Sequence, residues 1–121
     1  MAKKVMIVDD EPDVRTSVSQ ILKVSGYTII EGENGAECLL KLQQEIPDLL
    51  ILDIMMPGMS GWDVAAKIKE NQKWRDIPIV FLTAKGDDMS IGMGSIAAKD
   101  YIVKPFDIMD FKRRVEKLLK K

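Results

Sequence analysis

Five polar side chains stand directly behind apolar runs. Asp9 and Asp10 follow Val5-Met6-Ile7-Val8, Asp53 follows Leu49-Leu50-Ile51-Leu52, Thr83 follows Ile79-Val80-Phe81-Leu82, and Lys104 follows Tyr101-Ile102-Val103. Short apolar runs of this kind read as strands, and Leu49–Leu52 as one buried on both faces, as in a parallel sheet. The carboxyl ends of parallel strands share one edge, which is where open α/β sheets bind ligands. Three carboxylates, a hydroxyl and an ammonium therefore converge although dozens of residues separate them in the chain. Crowded carboxylates repel, and at least one pKa rises unless cations intervene. Lys104 supplies one positive charge. A hard divalent cation supplies two more, and Mg²⁺ suits best because it retains waters and leaves a position for a phosphoryl oxygen. The alternating acidic loop of a Ca²⁺ site is absent. With cation, hydroxyl and ammonium around it, Asp53 can attack a phosphoryl group while the others stabilise charge on the equatorial oxygens. Each residue alone has a plainer use. Asp10 or Glu11 can be a helix cap, Thr83 an ordinary cap and Lys104 an exposed strand end. Their joint placement at four of the five strand ends is what points to a site.

The elements that must position them alternate along the chain. Val5–Val8 is the first strand, and Pro12 suits the first turn of a helix that carries Val14, Val18, Ile21 and Leu22 and stops at Gly26. Tyr27–Glu31 is a short strand. Asn34, with Glu37 three residues on, opens a second helix through Leu39, Leu40 and Leu42 that ends before Pro47. After the central strand Leu49–Leu52, Pro57 and Gly58 turn the chain, and Ser60 with Asp63 caps a third helix from about Gly61 to Glu70 that buries Val64, Ala65 and Ile68. Residues Asn71–Asp76 read as a loop, and Pro78 leads into the fourth strand. Asp87 or Asp88 caps a fourth helix to about Ala98, in which Gly92 and Gly94 each cost roughly 1 kcal/mol relative to Ala. The final helix buries Ile108, Phe111, Val115, Leu118 and Leu119. Its other face is basic through Lys112, Arg113, Arg114, Lys117, Lys120 and Lys121, a solvated face in the first instance. Five βα repeats with short connections imply right-handed crossovers, a parallel sheet and helices on both faces.

Composition narrows the function classes. The 121 residues are expected to form one domain, with 46% hydrophobic and 31% charged residues fitting a globular protein. A net charge of −1 gives no electrostatic case for nucleic acid or anionic membrane. No apolar run approaches membrane-spanning length, and Val5–Val8 is too short for a signal peptide before it meets two aspartates. The single Cys38 cannot form an internal disulfide and reads as a small residue beside the core, which suits a reducing, cytoplasmic setting. The absence of histidine excludes a His-based triad, a His metal site and a role as phosphohistidine donor.

Four motifs carry a resemblance to the receiver domain of two-component response regulators. They are Val8-Asp9-Asp10-Glu11, Leu52-Asp53-Ile54-Met55-Met56-Pro57-Gly58-Met59-Ser60-Gly61, Leu82-Thr83-Ala84 and Asp100-Tyr101-Ile102-Val103-Lys104-Pro105-Phe106. The resemblance implies a flavodoxin-like (βα)5 fold with strand order 2-1-3-4-5. It implies that Asp53 is the phosphoacceptor. It implies that Mg²⁺ is held by Asp9, Asp10, Asp53 and the backbone carbonyl of Met55, and that Lys104 partners the phosphoryl group and the carboxylates. It also implies that Thr83 and the Ala84 backbone amide contact the phosphoryl oxygens and that Tyr101 turns inward when Thr83 moves. In the family the bond corresponding to Lys104-Pro105 is typically cis. The implied partners are a sensor histidine kinase or phosphotransfer protein and a downstream protein that senses the face of the fourth helix, fifth strand and fifth helix. The implied molecule is a monomer for which phosphorylation-dependent dimerisation stays open. It would be a stand-alone receiver over residues 1–121 with no effector domain in this chain, binding neither nucleic acid nor membrane by itself. It would be a switch that catalyses only its own phosphorylation and dephosphorylation, not an enzyme with a separate substrate.

Some features depart from this pattern or compete with it. Ala97-Ala98 stands where relatives usually carry Gly-Ala. The eight methionines serve first as flexible core filling, with Met89 and Met93 a candidate adaptable partner surface. A haloacid-dehalogenase-type phosphatase also uses Asp, Thr, Lys and Mg²⁺, but its nucleophile lies in Asp-x-Asp after the first strand and its lid needs more chain. A flavin module on the same fold would need a Ser/Thr/Gly-rich phosphate loop where Asp9-Asp10-Glu11 stand. A DNA-binding regulator trimmed to its receiver would look the same as a stand-alone one.

Overall fold

The structure is a computed structural model that describes residues 2–84 and 98–120. Its strands are β1 (Lys4–Val8), β2 (Thr28–Gly32), β3 (Leu49–Asp53), β4 (Ile79–Ala84) and β5 (Asp100–Lys104). Three helices follow the first three strands, α1 (Pro12–Val24), α2 (Gly35–Gln44) and α3 (Gly61–Glu70), and a C-terminal helix spans Ile108–Leu119. The five strands form one parallel sheet in the order β2-β1-β3-β4-β5. The expected fourth helix, with Asp87, Asp88, Met89, Gly92, Met93 and Gly94, lies outside the described residues.

The two-residue period of the strands builds two cores. Met6, Val8, Leu50, Leu52, Ile79 and Phe81 face α2 and α3 through Cys38, Leu42, Val64, Ala65 and Ile68. Val5, Ile7, Leu49, Ile51, Val80, Leu82 and Ile102 face α1 and the C-terminal helix through Val18, Leu22, Phe111 and Val115. Because both faces are covered, the inner strands are continuous apolar runs without alternation. Burial also pushes the Cys38 thiol up to about 12, so it packs as an inert small hydrophobe.

Several boundaries and facings differ from the sequence expectation. The second strand is shifted one residue, to Thr28–Gly32, because Gly26 in the left-handed region (φ 96°) and the Tyr27 N–H on the Leu22 carbonyl still belong to the end of α1. Leu40 is exposed, since the core stripe of α2 runs through Cys38 and Leu42. Ile108 is exposed too: it shares the face of Phe111 and Val115 but is the first residue of its helix, beyond the end of the core. The basic face is partly neutralised: Arg113 pairs with Asp110, and Arg114 with Asp100 and Asp110.

Candidate functional site

Turn and cap chemistry aims the chain ends at one edge of the sheet. Asp53 is the last residue of β3. The Ile54 N–H bonds the Leu82 carbonyl at 3.0 Å, and the Gly61 N–H bonds the Ile54 carbonyl at 2.8 Å. Gly58 turns the connection with φ 77°, and Ser60 and Asp63 form the expected capping box at the start of α3. This closes α3 onto the strand end so tightly that a Cβ on Gly61 would lie 2.4 Å from the Asp53 carbonyl oxygen. In the sequence Gly61 is only the first residue of the third helix; the fold shows that helix and Asp53 backbone touch there. Gly61→Ala is therefore expected to lower stability by about 1–3 kcal/mol through overpacking against backbone. Gly35→Ala, whose nearest neighbour is the movable Val64 side chain, loses less. Urea unfolding of the two variants compares them, and equal losses would show that the Asp53 backbone yields freely.

Period-two alternation sorts the polar residues between the two faces. Asp53 continues the row of Leu49 and Ile51, and Lys104 continues the row of Ile102, both on the α1 side of the sheet. Lys104 Nζ lies 2.9 Å from Asp9 Oδ2, 2.9 Å from Glu11 Oε1 and 3.5 Å from Asp53 Oδ1. Asp9 and Asp53 are buried, and Asp10 is the solvent-facing member of the group. Thr83 continues the row of Phe81 on the opposite face and is buried at the end of β4. Its hydroxyl donates to the Ala84 carbonyl at 3.3 Å. Ala84 ends β4 in register with Lys104. Tyr101 shares the Thr83 face, half-buried, with its ring stacked on Phe81 at 5.6 Å and 6.3 Å from Trp62. The Lys104-Pro105 bond is cis. Met55 lies two residues past Asp53 with its side chain exposed.

Asp9 is held from several directions. Its Oδ1 accepts from the Glu11 N–H at 2.9 Å, its own N–H donates to the Gly32 carbonyl, and its carbonyl accepts from Arg15 at 2.6 Å. Arg15 in turn pairs with Glu31, which accepts from Ser19. The remaining oxygen, Oδ2, is fully buried. Its contact with Lys104 is an ion pair without hydrogen-bond geometry, so it keeps open lone pairs. Glu11 takes the N-cap position of α1, yet its side chain makes no cap bond and reaches Lys104 instead. The plain helix-cap reading therefore fails for the Glu11 side chain, because the ammonium is the stronger partner within reach.

The electrostatics follow from this packing. Burial, with the nearby charge of Asp9 and less that of Asp10, outweighs Lys104 and pushes the Asp53 carboxyl up to about 7. Desolvation pulls the Lys104 ammonium down, but its contacts with Asp9 and Glu11 and the charge of Asp53 outweigh it and leave the group raised. One carboxylate oxygen each from Asp9, Asp10 and Asp53 lies within 4.8 Å of the others. An all-oxygen donor set with an open buried lone pair fits a hard divalent cation such as Mg²⁺.

Comparison with known proteins gives the family and the fold. The model of the response regulator receiver domain matches residues 5–116. The phosphate regulon transcriptional regulatory protein PhoB of Pseudomonas aeruginosa is 36% identical over 122 residues, covering 100% of this chain and 53% of that protein. The alkaline phosphatase synthesis transcriptional regulatory protein PhoP of Bacillus subtilis is 35% identical, covering 100% and 50%. The chain thus spans about half the length of the curated relatives it matches. Among solved structures, the response regulator TrrA of Thermotoga maritima, in complex with Mg(2+)-BeF, superposes with a TM-score of 0.79 at 39% identity, covering 96% and 98% of the two chains. The chemotaxis protein CheY4 of Vibrio cholerae gives a TM-score of 0.89 at 26% identity, covering 98% and 99%.

Proposed function

The chain belongs to the response regulator receiver domain family of two-component systems, and from that premise we propose that Asp53 is its phosphoacceptor, charged by a histidine kinase or phosphotransfer protein. The observation that carries this reading is the Lys104 ammonium bridging the buried carboxylates of Asp9 and Asp53 beside Asp10 at the carboxyl edge of the sheet. An Asp53 oxygen attacks the phosphorus. The bond from phosphorus to the donor's nitrogen or oxygen breaks, and the leaving group keeps the electron pair. Lys104 stands on the α1 side of that position and Thr83 on the other, so the sheet edge presents a cation and a hydroxyl to the phosphoryl oxygens from two directions. The Ala84 amide adds a third donor. Mg²⁺ would be held by Asp9, Asp10, Asp53 and the Met55 carbonyl and would supply positive charge that keeps Asp53 ionised and neutralises the phosphoryl oxygens. The Mg(2+)-BeF complex of the Thermotoga relative supports such a site here.

The output is control of a protein partner. Phosphorylation adds charge near −2 at pH 7 and new acceptor oxygens. Thr83 drawn toward them leaves space beside Phe81, where Tyr101 is already stacked, and the surface around β5 changes with it.

Intact-protein mass spectrometry after incubation with acetyl phosphate tests the reading, with and without Mg²⁺ and with Asp53→Asn alongside. A single phosphoryl adduct that requires both Mg²⁺ and Asp53 is expected, accompanied by a shift of the Tyr101 ring signals in NMR. No adduct on the parent chain, or an equal adduct on the Asn variant, overturns it.

A further inference from the structure

Lys104 faces three carboxylates, and they differ sharply in what would follow from losing it. The ammonium donates a hydrogen bond to Glu11 at 2.9 Å, while Asp9 at 2.9 Å and Asp53 at 3.5 Å are ion-pair contacts, so a phosphoryl oxygen arriving at Asp53 meets a lysine already held on the Glu11 side. Asp9 is fully buried and Asp53 nearly so, and releasing either strands a charge away from water. Glu11 is 61% exposed, and water can take over its carboxylate at once. Glu11 also lines the open groove that Lys104 and Ala84 border, so the carboxylate has room to swing away. Since the side chain makes no cap bond to α1, nothing else among the described residues requires it to point at Lys104.

Resting on the phosphoacceptor reading above, we infer that Glu11 is a placeholder on Lys104: its carboxylate oxygen holds the ammonium until a phosphoryl oxygen on Asp53 takes that position, and it thereby slows phosphorylation. Glu11 is a positioning residue, acting through Lys104. The transfer itself is unchanged. With acetyl phosphate as donor, the Asp53 oxygen bonds to phosphorus, the phosphorus–oxygen bond to acetate breaks, and acetate leaves with the electron pair.

The test compares the parent chain, Glu11→Gln and Glu11→Ala in Mg²⁺ and acetyl phosphate. The maximal rate of adduct formation on Asp53 is expected to rise roughly two- to fivefold in both variants, the range of an exposed ion pair. Raising the salt concentration should shrink the difference. The spectroscopic signature is the NMR signal of the Lys104 ammonium. It should differ between parent and variants before phosphorylation and coincide after it, while the thermal midpoints of the variants fall by no more than about 5 °C, since an exposed ion pair and no cap bond is lost. An unchanged maximal rate with normal Asp53 phosphorylation overturns the placeholder and leaves the acceptor reading standing. A Lys104 signal that still differs in the phosphoproteins also overturns it. Failure of the parent chain to take up phosphate overturns both.

Discussion

At pH 8 and without divalent cation, the Asp53→Asn protein is expected to unfold roughly 10 °C above the parent chain. The reason is the carboxyl that burial and its acidic neighbours push to about 7 from its ordinary 3.8. Between about pH 4 and 7 the folded state holds a proton that the unfolded chain has lost. Low pH therefore favours folding, and stability falls as pH rises through that window. Above about 7 the loss is complete, on the order of 4 kcal/mol at 1.4 kcal/mol per pH unit. That figure is an upper one, because asparagine also takes one of three anions from Lys104. The advantage of the Asn variant should vanish near pH 4, where both chains are neutral at this position. Mg²⁺ should narrow the gap at pH 8 by stabilising the parent through binding to the folded state. Thermal melts of both proteins across this range, with and without Mg²⁺, check the sign and the window. A gap that does not depend on pH would show that Asp53 is ionised without strain.

Removing the cation should act in the opposite direction. Lys104→Met removes the cation that the described residues place on the buried carboxylates of Asp9 and Asp53, and breaking such a buried arrangement from one side costs about 3–5 kcal/mol at pH 8. The loss should be smaller at pH 5, where the Asp53 carboxyl, raised to about 7, relieves the repulsion by holding a proton. Combining Lys104→Met with Asp53→Asn should recover part of it, because two of the three acids then remain ionised where three crowded before. Urea unfolding at the two pH values measures this. A loss below about 1 kcal/mol at pH 8 would mean that water reaches Asp9 and Asp53 once the lysine is gone.

Much of this molecule follows from local pattern. The runs Val5–Val8, Leu49–Leu52 and Ile79–Leu82 had to be inner strands of a parallel sheet, since only burial on both faces tolerates such runs without alternation. Their shared edge then brings Asp9, Asp10, Asp53 and Lys104 together, and the capping box at Ser60 and Asp63 was readable from spacing alone. The strand order came from family resemblance, because periodicity says where strands are and not which neighbour each one takes.

Tertiary structure decided the finer matters. Leu40 and Ile108 carry core-type side chains on exposed positions, since a helix's buried stripe depends on how the helix docks. Gly61 had no visible task until α3 closed to 2.4 Å of an added Cβ from the Asp53 backbone. Glu11 looked like a cap and became an ion-pair partner of Lys104, 93 positions away in the chain. Sequence determined which groups meet at the edge, because strand direction and period are local properties of the backbone. Which group pairs with which, and which carboxyl titrates near neutrality, depends on burial and on distances of a few ångströms, and these exist only once the chain has folded.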